Sequence, residues 1–205
     1  MEPGVNSADD QYAGVGLAAA SVLSIVAMAH HPSGPGPSGL NQLVHGAMIA
    51  VVLVSVAGFI RLAMRIGLHR FFVLMGLVAY CTGAGANMLA ATINGFVVPS
   101  VFAHSVSDDI LRLCWEFNQA LAYGAAYAVS AAFALWGLEL ARVSGLQRIF
   151  GLAGVVVGLV TAALLAVSIV RMNVAGALVV YVLQAAFGVL AGAELMRARG
   201  SASGA

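Results

Sequence analysis

Charged side chains are scarce in this 205-residue sequence, and lysine is missing altogether. Charged residues make up 8% of the chain, whereas a soluble domain carries about a quarter. So few charges cannot cover a water-facing surface, which excludes a soluble globular domain. The missing lysine excludes chemistry that needs a lysine amine, including Schiff bases with retinal or pyridoxal phosphate. The net charge of +1 gives no support for a nucleic-acid partner.

Cysteine is the next residue type in short supply. Cys81 and Cys114 lie in separate apolar runs, and no CxxC pair occurs. This spacing excludes a zinc ribbon and a thioredoxin-like site. We interpret both cysteines as small packing residues.

Hydrophobic residues dominate the rest, at 61% of the chain with a mean hydropathy of +0.99. Lipid is therefore the expected solvent. We predict an all-α integral membrane protein whose single domain is a six-transmembrane-helix bundle. The predicted helices cover residues 12–30, 43–62, 71–98, 110–140, 149–170 and 174–195, and a flexible cytoplasmic tail covers 196–205. Pro99 is expected to end the third helix.

The arginines predict the orientation of the bundle. Seven of the nine follow the second, fourth and sixth apolar runs: Arg61, Arg65, Arg70, Arg142, Arg148, Arg197 and Arg199. By the positive-inside rule these segments and both termini are cytoplasmic, so the loops at 33–39 and 99–109 face outside. Trp115 and Trp136, separated by about 31 Å of helix, are expected at opposite membrane edges. The arginine-only, alanine-rich usage is typical of a GC-rich genome, and we expect a bacterial inner membrane.

An internal repeat relates two helix pairs. The segment 67–76 recurs at 145–154 with a constant offset of 78 residues. The second and third predicted helices thus resemble the fourth and fifth in the same orientation. This pattern indicates a parallel duplication, and chance similarity in a chain of such narrow composition is the alternative.

Two GxxxG motifs predict close packing between helices. They comprise Gly154 with Gly158, and Gly188 with Gly192. Glycine at this spacing lets two helix backbones approach each other in a membrane. Besides membrane lipid, the partners that we predict through these faces are a second copy of the chain or a larger membrane complex.

Four of the five histidines fall at the predicted outer ends of helices: His30, His31, His45 and His104. The short Pro-Gly loop should bring the end of the first helix close to the start of the second, and Glu116 lies near the outer end of the fourth. Imidazoles and a carboxylate at one membrane level can bind copper or zinc, and two facing imidazoles can ligate haem. We predict the four histidines as cofactor and metal ligands, with Glu116 as a further ligand or orienting residue. The alternative is that these histidines are solvated among lipid headgroups.

Polar side chains inside the predicted helices support a different function. An intramembrane polar group needs a partner and often marks a pathway. A polar cavity open to the outside would be lined by Asn87, Asn94, Glu116, Asn118 and Gln119. The protein would then be a cofactor-free accessory subunit or a small-solute transporter. Interhelical hydrogen bonding explains the same amides structurally, and no motif in the chain selects an enzymatic reaction.

Overall fold

The computed structural model describes residues 7–32, 39–104 and 106–197. Within these ranges six helices are long and apolar enough to cross a membrane. Large apolar side chains such as Leu43 and Phe71 are exposed on the outside of the bundle, where lipid is the solvent that suits them. The prediction of an all-α, six-helix integral membrane protein is confirmed.

The helices begin and end close to the predicted positions. They are α1 (Ser7–Ala29), α2 (Gly39–Ile66), α3 (Phe71–Thr92), the short α4 (Val98–Ala103), α5 (Asp108–Ala141), α6 (Leu146–Ala166) and α7 (Val174–Met196). Most extend past the predicted ranges because a helix continues into polar flanks that hydropathy does not mark. The exception is α6, which ends four residues before the predicted 170. The loop at 33–38 and the tail from 198 onward lie outside the described residues.

The third membrane span continues through a proline that was expected to end it. The chain remains helical from Phe71 to Ala103, whereas the prediction ended this helix at residue 98. A π-helical turn at Ile93–Val97 joins α3 to α4, and Pro99 falls at the start of α4. In the π pattern the N–H of residue 99 would bond to the carbonyl of Asn94, and proline has no N–H. The wider turn therefore accommodates the proline and leaves the carbonyl of Asn94 free to accept from another donor.

The GxxxG motifs pack inside the bundle. A Cβ added at Gly154 would lie 2.6 Å from the ring of Phe187, and one added at Gly192 would lie 2.6 Å from the carbonyl oxygen of Gly14. The first motif thus serves packing of α6 on α5 and α7, and the second serves packing of α7 on α1. An oligomer that used these same faces would compete with contacts inside the chain. Oligomerisation through them stays a prediction.

An aromatic cluster fills the middle of the core. Its members are Phe59, Tyr80, Phe133, Trp136 and Phe187. The placement of Trp136 at a lipid-facing membrane edge was wrong, because its side chain is fully buried and its indole N–H donates to the carbonyl of Val73 at 3.1 Å. The indole finds its polar partner within the protein and not among the headgroups. Trp115 is exposed at the opposite end of α5.

The ion pairs found among the described residues lie at one end of the bundle, which we call the arginine end. Buried Glu139 and Glu194 accept from Arg142 at 2.6 Å and from Arg197 at 3.1 Å. Glu194 also lies 3.8 Å from Arg65 of α2. These pairs connect α7 with α2 and neutralise two carboxylates that would be costly to bury alone.

The two loops at the arginine end share a backbone feature. Gly67 has a φ of 119° and Gly145 a φ of 73°, in the region that favours glycine. They occupy equivalent positions in the 78-residue repeat. This correspondence is what a duplicated helix–loop–helix unit predicts.

Candidate functional site

A cavity of about 450 Å³ lies at the opposite end of the bundle, which we call the histidine end. It is enclosed by the ends of α1 and α2, the π turn, α5, and the connection between α6 and α7. We call it the imidazole cavity. Its polar lining residues are His31, His45, Asn41, Asn87, Asn94, Asn118, Gln119, Asn173 and Tyr181, and its methionines are Met28, Met48 and Met172.

His45 is held rigidly at the wall of this cavity. Its side chain is 1% exposed and lies on α2. The Nδ1 atom is 2.7 Å from the carbonyl oxygen of Asn41, one helical turn earlier. Gly95 of the π turn packs directly against the imidazole side chain, with no room for a Cβ. Helix geometry and the absent glycine side chain thus fix where the ring of His45 points.

His31 meets His45 from the end of α1. Its Nδ1 lies 2.9 Å from the carbonyl oxygen of Pro32. Its Nε2 lies 3.1 Å from the Nε2 of His45, and the two rings meet edge to face at 74°. The short loop between α1 and α2 was expected to bring the histidines at its two ends close together. His31 and His45 meet this expectation.

The hydrogen-bond partners determine where the ring protons reside. Two neutral imidazoles carry two ring hydrogens for three contacts, and a carbonyl oxygen can only accept, so the arrangement that satisfies both carbonyls puts one hydrogen on each Nδ1. A neutral imidazole carries only one ring hydrogen, which leaves both Nε2 atoms with bare lone pairs. Two lone pairs 3.1 Å apart repel each other unless a cation lies between or beside them. That cation is either a proton or a metal ion.

Burial favours the unprotonated pair. It lowers the pKa of His31 below the ordinary value of 6.5, and the neighbouring imidazole of His45 lowers that pKa further. The hydrogen bond to Pro32 acts in the opposite direction with less effect. At neutral pH the Nε2 lone pair of His31 is therefore available to a metal ion.

A second layer of hydrogen bonds supports the pair. The side-chain amide of Asn41 donates to the carbonyl of Asn94 at 3.1 Å, which is the carbonyl that Pro99 leaves without a helical donor. The Asn41 carbonyl in turn accepts from His45. The π turn, Asn41 and His45 thus form one continuous chain of bonds. Such support is usual for a metal-binding histidine, whose second nitrogen donates to a carbonyl or carboxylate.

The other residues predicted as ligands lie apart from this pair. His30 is exposed, with Nδ1 2.9 Å from the carbonyl of Val26. His104 is exposed, with Nδ1 2.7 Å from the carbonyl of Ser100. Glu116 is exposed as well, and none of the three lines the imidazole cavity. Within residues 7–32, 39–104 and 106–197, no group of three or more His, Cys, Asp or Glu side chains is suited to hold a metal.

The predicted amides do line the same cavity. Asn87, Asn94, Asn118 and Gln119 all contribute to its wall. Asn118 is 6% exposed, and its Oδ1 has no hydrogen-bond partner in the part of the chain that the structure describes. A buried oxygen without a donor is costly and calls for a bound ligand or water.

A second, smaller cavity of about 60 Å³ adjoins the first towards the middle of the bundle. Asn87 and Tyr181 line both cavities. The walls of the smaller one include Ser21, Ser55, Tyr80 and Gln184, and it ends against the aromatic cluster at Phe59 and Phe133. Polar groups therefore extend inward from the imidazole cavity as far as the aromatic core.

Sequence reasoning missed several residues of this site. The three methionines and Asn41 were not predicted. Asn41 precedes His45 by four residues, and Met28 and Met48 each lie three residues from a cavity histidine. Helical spacing puts such residues on one face, so a search of the histidine neighbourhood at these offsets would have found Asn41, Met28 and Met48, but not Met172.

No known protein family matches this chain, and comparisons with curated proteins and with solved structures likewise give no match.

Proposed function

We propose that this protein binds one transition-metal ion between the Nε2 atoms of His31 and His45, in a cavity on the extracytoplasmic side of a bacterial inner membrane. The observation that carries the proposal is the approach of the two Nε2 atoms to 3.1 Å, with each Nδ1 within hydrogen-bond distance of a backbone carbonyl to which it can donate. This arrangement supplies two neutral nitrogen ligands with their orientation fixed before the ion arrives.

The separation of the nitrogens suits one shared ion. Zinc–imidazole bonds are about 2.0–2.1 Å long. Two such bonds to nitrogens that lie 3.1 Å apart enclose an angle of roughly 98° at the metal. This angle belongs to neighbouring ligands in tetrahedral or square-planar coordination. Further ligands would come from the cavity, where the unpartnered Oδ1 of Asn118 is one available oxygen.

The same distance argues against a haem held between the two rings. Two axial imidazoles on opposite sides of one iron, with bonds of about 2.0 Å as for other imidazole–metal pairs, would need nitrogens about 4 Å apart. The pair is nearly 1 Å closer than that. A single ion, copper or zinc, therefore fits the proposal better than haem.

The arginine distribution supports the orientation. Arg61, Arg65, Arg142 and Arg148 belong to the arginine end, together with the described chain ends. Under the positive-inside rule this end faces the cytoplasm, as do both termini and the 196–205 tail. The imidazole cavity then opens to the other side of the membrane.

Metal analysis of the purified, detergent-solubilised protein tests this proposal. The wild type is stripped with a chelator, loaded separately with copper or zinc, freed of excess metal and analysed. We expect about one ion per chain, lost in His31→Ala and in His45→Ala. The variants His30→Ala and His104→Ala are matched controls that remove exposed histidines and should retain the ion. No bound metal in the wild type, or equal metal in all four variants, would overturn the proposal.

A second function is favoured by the amides that share the cavity. Six neutral amide side chains and an adjoining polar cavity suit a small polar solute, so we propose a small-solute transporter or accessory subunit as the alternative. Replacing Asn118 with Leu would then abolish solute binding or uptake, while metal binding would be absent in the wild type. One ion per chain held by His31 and His45 would decide against this cofactor-free alternative.

A further inference from the structure

Three methionine thioethers share the imidazole cavity with the histidine pair. Met28, Met48 and Met172 all line the cavity and are 4%, 9% and 7% exposed. They come from three separate places: α1, α2 and the connection between α6 and α7. The backbone N–H of Met172 donates to the hydroxyl of Tyr123 at 3.2 Å, which fixes that connection on α5.

Two of the methionines are paired with the histidines by spacing. Met28 precedes His31 by three residues, and Met48 follows His45 by three residues. Residues three apart lie on one face of a helix. The backbone N–H of His31 bonds to the carbonyl of Met28 at 3.1 Å, so this turn persists beyond the end of α1. Each element that brings an imidazole to the cavity therefore brings a thioether beside it.

The cavity offers no negative charge. Its described lining contains no Asp, Glu or Cys side chain, and its donors are imidazoles, thioethers and amides. The cost of moving an ion from water into a low-dielectric interior rises with the square of its charge, so a divalent ion pays about four times as much as a monovalent one of equal size. Zinc sites normally use thiolates or carboxylates alongside imidazoles, and none is present here.

From these observations we infer that the site is selective for Cu(I), with His31 and His45 as nitrogen ligands and one or two thioethers from among Met28, Met48 and Met172 completing a coordination of three or four. Soft thioether ligands select Cu(I) over harder divalent ions. A monovalent ion also leaves less uncompensated charge in a neutral cavity. This inference rests on the proposed function, since it names the ion that the histidine pair would hold.

Cu(I) and Zn(II) binding to the full-length protein in detergent tests the inference. Affinities are measured by competition with a chromophoric chelator, under ascorbate for Cu(I). The variants are Met28→Leu, Met48→Leu and Met172→Leu, with Met64→Leu and Met75→Leu as controls whose exposed side chains lie outside the cavity. Met→Leu conserves volume, so the fold should persist, and thermal unfolding of each variant checks this.

We expect the wild type to bind Cu(I) more tightly than Zn(II), with sulfur in the copper X-ray absorption spectrum. At least one of the three cavity variants should weaken Cu(I) binding by about tenfold or more, since even outer-shell changes cost 10- to 100-fold, and the controls should match the wild type. Zn(II) bound as tightly as Cu(I), or copper without sulfur neighbours, would overturn the Cu(I) assignment and leave the metal site standing. No metal of either kind would overturn both.

Discussion

A single methyl group added at Gly95 should disrupt the proposed metal site. The Cβ of an alanine there would overlap the Cβ of His45 and lie 2.9 Å from its Cγ. Non-bonded carbons prefer about 3.5–4.0 Å, so the side chain of His45 must retreat by roughly 1 Å. If that movement falls along the line to His31, the nitrogen separation grows from 3.1 Å to about 4.1 Å. At 4.1 Å two bonds of about 2.05 Å can reach one ion only in a straight line.

The expected result for Gly95→Ala is a fall in metal affinity of about 10- to 100-fold, the range found when orientation of a metal ligand is disturbed. Overpacking should also lower the free energy of unfolding by about 1–3 kcal/mol. Chelator competition measures the affinity, and thermal unfolding in detergent measures the stability. The metal need not be identified for this comparison, because copper and zinc can be measured side by side.

Two other glycines provide matched controls. Gly46 follows His45 on α2, and Gly85 lies on α3. A Cβ at either position meets nothing within 4 Å, so Gly46→Ala and Gly85→Ala should bind metal as the wild type does. Wild-type affinity in Gly95→Ala would refute the reasoning, as would an equal loss in all three variants.

The remaining predictions concern pH, charge and orientation. Burial puts the pKa of His31 in the folded protein below 6.5. On acidification, His31 is therefore protonated in the unfolded chain at a higher pH than in the folded protein. Stability should therefore decline as the pH falls below 6.5 and level off below the folded pKa, and this titration contribution should vanish in His31→Ala when unfolding is followed against pH. Glu194→Gln should lower stability by about 1.5–3 kcal/mol because it removes a buried carboxylate that pairs with Arg65 and accepts from Arg197, whereas Glu116→Gln at an exposed site should change it little; equal melting temperatures for both would contradict this. In a cysteine-free background, a membrane-impermeant thiol reagent added to intact spheroplasts should label Asn173→Cys and not Ser144→Cys, and the reverse pattern would invert the proposed orientation.

Much of the fold could be predicted from hydropathy because lipid imposes a strong demand on composition. Six spans need six apolar runs, and the sequence has them. Two details depended on tertiary contacts instead. Pro99 was expected to end a helix, yet the π turn before it accommodates the ring. Trp136 was assigned to the lipid interface, yet its partner is a carbonyl on a neighbouring helix.

The candidate site was predictable in part for a different reason. The short connection between α1 and α2 implied that histidines at its two ends would meet, and His31 and His45 do. Successive residues on a helix point about 100° apart, so His30 faces away from its neighbour and is exposed. The nitrogen that each ring presents is set by backbone carbonyls, here those of Asn41 and Pro32. That information is three-dimensional, and residue spacing alone does not contain it.

The most direct test of the central claim is a count of the imidazoles on the bound ion. X-ray absorption of the metal-loaded protein distinguishes one histidine ligand from two through the scattering of the outer ring atoms. The account predicts two imidazoles at about 2.0 Å in the wild type and in His30→Ala. Any metal that His31→Ala still retains at high loading should carry one imidazole at most. A wild-type spectrum without paired imidazoles, or one that His31→Ala leaves unchanged, would contradict the account.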